Sequence, residues 1–371
     1  MKEQFPGYYL PTESDFKQMW QEGLFIFDAN FLLDFFRYSD DTVNSLLSIM
    51  DKIKGRIWIP HQAAYEYHKN LYSVIESEAK LYSETINKLD DLVKKYTPKK
   101  GKDVISVFDN LKQVLVNKKE GVISLLSANP IKEKLSELLK GKIGEAFNED
   151  QLIKIYEEGQ KRYEKNIPPG YCDAKDKKGN EKYGDFVFWK QILEKVKQID
   201  TAIILVTGDI KEDWFIGKLG RIISPRPELI SEVKTTKNVQ FYIYPTRRFL
   251  EYGNVYFSAG VKEEVLNEVM DLEDMIRKTQ RRYLEEPWNV FENIMRLAVS
   301  VGAEILDFQD SSSGGIIFVK KGTIEKPKIE MLMRLAERKG CALTIQEIEM
   351  KKVDIDDVAT CQFLSPYLQN D

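Results

Sequence analysis

The sequence predicts an α/β protein: a parallel sheet flanked by helices, carrying a long helical insertion, followed by a small C-terminal α/β domain. Three observations predict it. Leu24-Phe25-Ile26-Phe27 is an unbroken apolar run of strand length that meets Asp28 and passes into helix-forming residues, as a central parallel strand covered on both faces does. The same construction returns at Ala202–Thr207, followed by Gly208 and Asp209. From about Asn70 to Lys165 the apolar period is helical, with no convincing strand.

A chain of 371 residues is long enough for one large or two ordinary domains with real cores. An apolar share of 43% and a charged share of 31% describe an ordinary globular protein. No segment approaches the roughly 18 apolar residues of a membrane span, and Met-Lys-Glu-Gln-Phe-Pro-Gly is not a secretory signal. Cys172, Cys341 and Cys361 are scattered, odd in number and without metal-ligand spacing, which argues against disulfides and zinc. The expectation is a cytoplasmic protein with no membrane contact.

Residues 1–23 are a lead-in with a short helix around Glu13–Gln21. Strand one (Leu24–Asp28) and a helix (Ala29–Arg37) follow, and Asp40 or Asp41 caps a second helix through Met50. Strand two, Arg56–Ile59, is stopped by Pro60; a helix from His61 or Gln62 carries Glu66 and runs beyond Ile75. Pro98 and Pro130 divide the insertion, about residues 70–165, into four helices. Between Lys88 and Lys142 thirteen lysines face seven acids, although the whole chain is at −4. That excess suits a phosphate-backbone surface, and equally a solvated helical face.

Ile167-Pro-Pro-Gly-Tyr171 ends the insertion, and Cys172–Tyr183 is a polar loop. Gly184-Asp185 opens a helix, Phe186–Gln198. Strand three, Ala202–Thr207, leads through Gly208-Asp209 into a helix holding Asp213 and Trp214. Val239–Tyr244 is a fourth strand ended by Pro245. The first domain is expected over 1–255, a charged helical connector (Val261–Tyr283) within 256–286, and the small domain over 287–371. In that last part a helix (Val290–Val299), two strands (Ala303–Phe308 and Ile316–Val319), a helix (Lys328–Lys339) and a strand (Ala342–Ile348) are expected. It shows neither paired acids nor a phosphate loop.

Asp28 and Asp209 fall at or just past strand carboxyl ends, where open α/β sheets place ligand sites. Glu66 lies about one turn into the helix after strand two, and Asp185 in the first turn of the helix before strand three. Singly, each has an ordinary structural role, Asp28 and Asp185 as helix caps, Glu66 as a surface residue, Asp209 as a turn residue. Together, on parallel neighbouring strands, they converge. Two carboxylates about 4 Å apart repel by roughly 4 kcal/mol at an effective dielectric of 20, a large share of a domain's roughly 5–15 kcal/mol of stability. Such a cluster protonates, spreads, or holds a cation, and an all-oxygen set favours Mg²⁺ or Mn²⁺.

Four blocks then resemble the motifs of the PIN-like nuclease family: Phe27-Asp28-Ala29-Asn30-Phe31-Leu32-Leu33, Pro60–His68, Gly184-Asp185-Phe186-Val187-Phe188-Trp189, and Val206–Trp214. Within it they resemble a bacterial subgroup with a long helical insertion, long carried as a domain of unknown function. The resemblance covers about residues 20–250. It implies a Rossmann-like parallel sheet and a metal-dependent endonuclease acting on nucleic acid, RNA before DNA, with relatives in toxin or phage-defence settings. It implies that Asp28, Glu66, Asp185 and Asp209 hold Mg²⁺ or Mn²⁺, that Asp213 is an additional acid, and that Asn30 and Thr207 steady ligands or phosphate. His61, Lys175, Lys182 and Lys211 are the further candidates for substrate contact, with Lys177 and Lys178 beside them; Tyr171 is a candidate stacking residue, and His68 is expected on the helix surface. Two rivals remain. A haloacid-dehalogenase-type phosphatase matches Gly208-Asp209 and Asp213, but needs an aspartate where Asn30 stands and gives Glu66 no role. A PIN-like nucleic-acid-binding or regulatory module without cleavage is the other, with the C-terminal domain offering a place for a protein partner or for self-association.

Overall fold

In the computed structural model a capping box starts α1 (Glu13–Glu22): Thr12 Oγ1 accepts from the Asp15 N–H, and Asp15 accepts from the Thr12 N–H. The structure describes residues 1, 4–96, 102–175, 177–218, 221–276, 298, 302–303, 305–311, 314–338 and 342–348. They divide into two compact units, Met1–Asp274 and Met275–Asp371. β1 (Leu24–Phe27) is followed by α2 (Ala29–Asp34), shorter than expected, and α3 (Asp40–Lys52) leads to β2 (Ile57–Trp58). α4 (His61–Tyr96) starts at the sheet edge and runs unbroken into the insertion, which continues with α5 (Lys102–Ser124), α6 (Pro130–Leu138) and α7 (Glu149–Tyr163). The insertion is not a detached body: Leu71, Val74, Ile75, Leu135, Leu139 and Ile155 join the same apolar core as the sheet.

α8 (Gly184–Gln198) precedes β3 (Ile203–Thr207). The helix expected around Asp213 and Trp214 is absent. Residues 212–214 form a turn, followed by an antiparallel hairpin, β4 (Phe215–Lys218) and β5 (Arg221–Pro225). Gly217 and Pro225 both penalise a helix, while the pair Trp214 and Phe215 is buried and gives a short stretch the look of an apolar helix face. α9 (Pro227–Thr236) has Pro in its first turn, where the missing N–H costs nothing. β6 (Phe241–Pro245) starts later than the expected Val239 and includes Pro245. α10 (Thr246–Phe257) follows, and the last described residues of this unit lie in α11 (residues 263–276).

The sheet is wholly parallel in the order β2-β1-β3-β6. Phe27 pairs with Val206, and Thr207 with Pro245, so the ends of β1 and β3 are level. Chain order reverses between β1 and β3, and that reversal is where an open α/β sheet leaves a crevice. β3 is buried at every position and β1 at three of four, which is why both read as continuous apolar runs.

The second unit has a three-stranded sheet, β7 (Ile305–Ser311), β8 (Gly314–Lys320) and β9 (Ala342–Ile348), with α12 (Lys326–Arg338) before β9. β7 and β8 are antiparallel and β8 and β9 parallel, around Ile317, Val319, Leu332, Ala336 and Leu343. The helix expected over Val290–Val299 falls, apart from residue 298, outside the described residues, as do Cys341 and Cys361. No helix among the described residues is long and apolar enough to cross a membrane.

Candidate functional site

The level ends of β1 and β3 decide where the first two acids sit. Asp28 follows β1 directly, and its backbone N–H donates to Val206 O at 3.0 Å. Its Oδ1 accepts from the Ala29 N–H at 2.6 Å, so the capping role is real and leaves Oδ2 for a second partner. Thr207 is buried, and its Oγ1 donates to Asp28 Oδ2 at 2.8 Å while accepting from the Asp209 N–H at 2.9 Å. One hydroxyl therefore ties the Asp28 carboxylate to the turn that carries Asp209. Asn30 is exposed and backs onto Gly208, where a Cβ would stand 3.4 Å from Asn30 Cβ and 2.5 Å from Asp34 Oδ2.

Glu66 comes from the second turn of α4, where Gln62 Nε2 donates to its Oε1 at 2.7 Å. The start of α8 closes in on it: a Cβ at Gly184 would lie 2.5 Å from Glu66 Oε1. Asp185 is the next residue, and its Oδ2 is buried with no hydrogen-bond partner. Burial lifts the Asp28 carboxyl to about 7; Glu66 and Asp209 add to the rise, and the Thr207 and Ala29 hydrogen bonds oppose it. Burial likewise raises Asp185 far above the usual carboxylate range, with Asp173 adding and Lys211 and Lys177 opposing.

Two of these acids' neighbours were not legible as site residues. Asp173, in the loop before α8, takes Lys211 Nζ at 2.6 Å on Oδ1 and Lys177 Nζ at 2.5 Å on Oδ2. Burial pushes its carboxyl up, but the two ammonium groups outweigh it and hold it below the ordinary value. Asp34, at the end of α2, is buried beneath Gly208 with Arg37 Nη1 at 2.6 Å, and burial raises it to about 6. The signal available for Asp34 was its place amid Phe31, Leu32, Leu33, Phe35 and Phe36, an acid inside an apolar stretch. Asp173 lies in a loop rich in both charges and carries no such signal.

Lys211, a candidate for substrate contact, turns inward. Its Nζ lies 2.7 Å from Asp209 Oδ2 as well as against Asp173, and its N–H donates to Asp209 Oδ1 at 3.0 Å. Asp213 is fully buried, and its Oδ2 accepts from the N–H groups of Gly170 (2.9 Å) and Cys172 (3.1 Å). That side chain holds the loop in front of α8; its Oδ1 is buried without a hydrogen-bond partner. Gly170 has φ +91° there, and a Cβ would press within 2.9 Å of Asp185 Cβ, so the loop comes close to the acids only because this residue is glycine. His61 is half-buried at the first position of α4, His68 is exposed, and Lys182 Nζ lies over the Tyr183 ring at 4.9 Å. Tyr171 is half-buried and its hydroxyl is pushed up to about 12 by burial. The side chain of Lys175 lies outside the described residues.

Asp28, Thr207 and Asp209 are thus joined directly, with Glu66 and Asp185 within electrostatic reach. Among the described residues no three His, Cys, Asp or Glu side chains stand together as a ready metal-binding group. Lys211 is the cation among them instead. The donor set nevertheless suits a hard divalent ion: every donor is a carboxylate or hydroxyl oxygen, the acids outnumber the lysines that neutralise them, and Asp185 Oδ2 is buried unpaired.

A family model described as "PIN like domain" matches residues 24–229, which takes in β1, the insertion, β3 and the hairpin. Neither a curated protein nor a solved structure matches the chain.

Proposed function

This chain belongs to the PIN-like domain family, and we propose that it is a Mg²⁺- or Mn²⁺-dependent endonuclease that hydrolyses phosphodiester bonds in nucleic acid, RNA before DNA. The observation that carries the reading is the Thr207 hydroxyl bridging the Asp28 carboxylate and the Asp209 turn at the switch point of the sheet. Asp28, Glu66, Asp185 and Asp209 would hold the ion, the first and last as anchors fixed by the β1–β3 pairing. When bound, a divalent ion supplies charge neutralisation at the phosphoryl group and lowers the pKa of water. The protein's own part is to keep Asp28 oriented through Thr207 and Ala29, to keep Glu66 oriented through Gln62, and to withhold water from the apolar strands beneath. Asp173 and Lys211 balance charge at the rear of the site. His61, Lys182 and Asn30 are the candidates for phosphate contact.

The inward turn of Lys211 favours one competing reading, a PIN-like module that binds nucleic acid without cutting it. The two part on one experiment. Purified protein is incubated with labelled single- and double-stranded RNA and DNA, with Mn²⁺ or with chelator. We expect Mn²⁺-dependent cleavage, lowered at least about 100-fold in Asp28→Asn and Asp209→Asn with unchanged circular dichroism. Binding of oligonucleotide without cleavage, and no Mn²⁺ uptake by calorimetry, would establish the binding module instead.

A further inference from the structure

Beside Glu66 lies a cavity of about 300 Å³ between α4, α7 and the turn that precedes α8. Its rim carries Tyr65, 53% exposed, and its wall Tyr156, whose ring stacks on Tyr183 at 5.6 Å and 26°. Gln62, Asn70 and Asn180 supply amide groups, each both donor and acceptor. Gly184 and Val187 form an apolar floor.

Charge decides what class of group fits. Lys69 and Lys177 line the cavity, and so do Glu66 and Glu181, so the formal charges cancel. Both lysines already hold a carboxylate, Lys69 to Glu181 at 2.6 Å and Lys177 to Asp173 at 2.5 Å. A phosphate would have to break one of these pairs and meet Glu66 besides. A neutral, planar heterocycle need do neither: it stacks on exposed aromatic surface and its edge meets amides that both donate and accept.

Resting on the endonuclease reading, we propose that this cavity is a nucleobase subsite. It takes the base of a nucleotide next to the cleaved phosphate, because Glu66 and Gly184 both line it, and Glu66 Oε1 closes on Gly184, the residue before Asp185. A base enters such a cavity only when it is unstacked, so the substrate is single-stranded where it binds.

The test uses the full-length protein with Mn²⁺ and a 12-nucleotide single-stranded RNA. It compares the intact oligomer with a series carrying one abasic residue at each position. Tyr65 is exposed, so Tyr65→Ala keeps the wild-type Tm. It is expected to raise KM about 10-fold on the intact RNA with kcat little changed. Tyr65→Phe, which retains the ring, keeps the wild-type KM. One abasic position next to the cut abolishes the difference between wild type and Tyr65→Ala. Equal KM for wild type, Tyr65→Ala and Tyr156→Ala overturns the subsite while leaving the endonuclease reading intact. A loss in Tyr65→Phe as large as in Tyr65→Ala also overturns it, since the ring is then not the contact. Failure of the wild type to cut any oligomer removes the nuclease reading and the subsite with it.

Discussion

Asp28 is asked to do two things with one carboxylate: cap α2 through Oδ1 and accept from the Thr207 hydroxyl through Oδ2. Burial gives that arrangement a pH signature. With its folded pKa near 7 against an ordinary 3.8, the folded protein binds the proton more tightly than the unfolded chain. The associated stability is full below about pH 3.8 and is lost as pH rises through about 7, at up to about 1.4 kcal/mol per pH unit. In chelator, Asp28→Asn, which mimics the protonated acid, is therefore expected to exceed the wild type in Tm by less at pH 5 than at pH 8. A wild-type advantage that grows with pH would show that Asp28 is stabilised as the anion. Lys211 presents the complementary case. Replacing it by Met leaves Asp209 and Asp173 without their shared ammonium, and removing one partner of a largely buried pair costs roughly 3 kcal/mol. Thermal denaturation in chelator should show that loss, and Mn²⁺ should raise the Tm of Lys211→Met by more than it raises the wild type's.

At the scale of elements, the strand-to-turn junction after β3 depends on Gly208. A Cβ there meets Asp34 Oδ2 at 2.5 Å and the backbone carbon of Asn30 at 3.3 Å. Arg37 pins the Asp34 carboxylate, so neither neighbour yields easily. Gly208→Ala is expected to cost about 1–3 kcal/mol in urea denaturation, and to disturb the Asp209 turn with it. A second junction, between α7 and the loop that precedes α8, is held from behind. Arg162 grips Glu232 of α9 with Nη1 at 2.8 Å and Nη2 at 2.9 Å, and Trp189 Nε1 donates to the same glutamate at 3.0 Å. The insertion thereby reaches the sheet side of the molecule through paired side chains, and through Ile59, whose N–H donates to Lys142 O and whose O accepts from Gly144 N–H. None of these pairings has a local sequence signature. The hairpin after Trp214 lacked one too, since the short apolar run Trp214-Phe215-Ile216 before Gly217 fits either period.

For the molecule as a whole, α11 decides where the first unit ends. Val265 and Val269 enter its core, and Glu268 accepts from the Ser39 N–H and Ser39 Oγ, both at 2.6 Å, and from Thr42 Oγ1. A fragment of residues 1–276 is expected to unfold cooperatively and to keep whatever cleavage the full chain shows. A fragment of 1–255 loses these contacts and should unfold at a lower temperature; equal Tm values for the two would mean that α11 adds nothing to the fold.

The sequence by itself determined the parallel sheet, the positions of Asp28 and Asp209 at its carboxyl edge, and the helical nature of the insertion, because unbroken apolar runs and helical periods are local properties of the chain. Only the tertiary structure decided that Thr207 ties the Asp28 carboxylate to the Asp209 turn, that Lys211 lies inward between Asp173 and Asp209, and that Asp213 serves a loop. Those are choices of partner for buried polar atoms, and such choices depend on which distant segments exclude water from them.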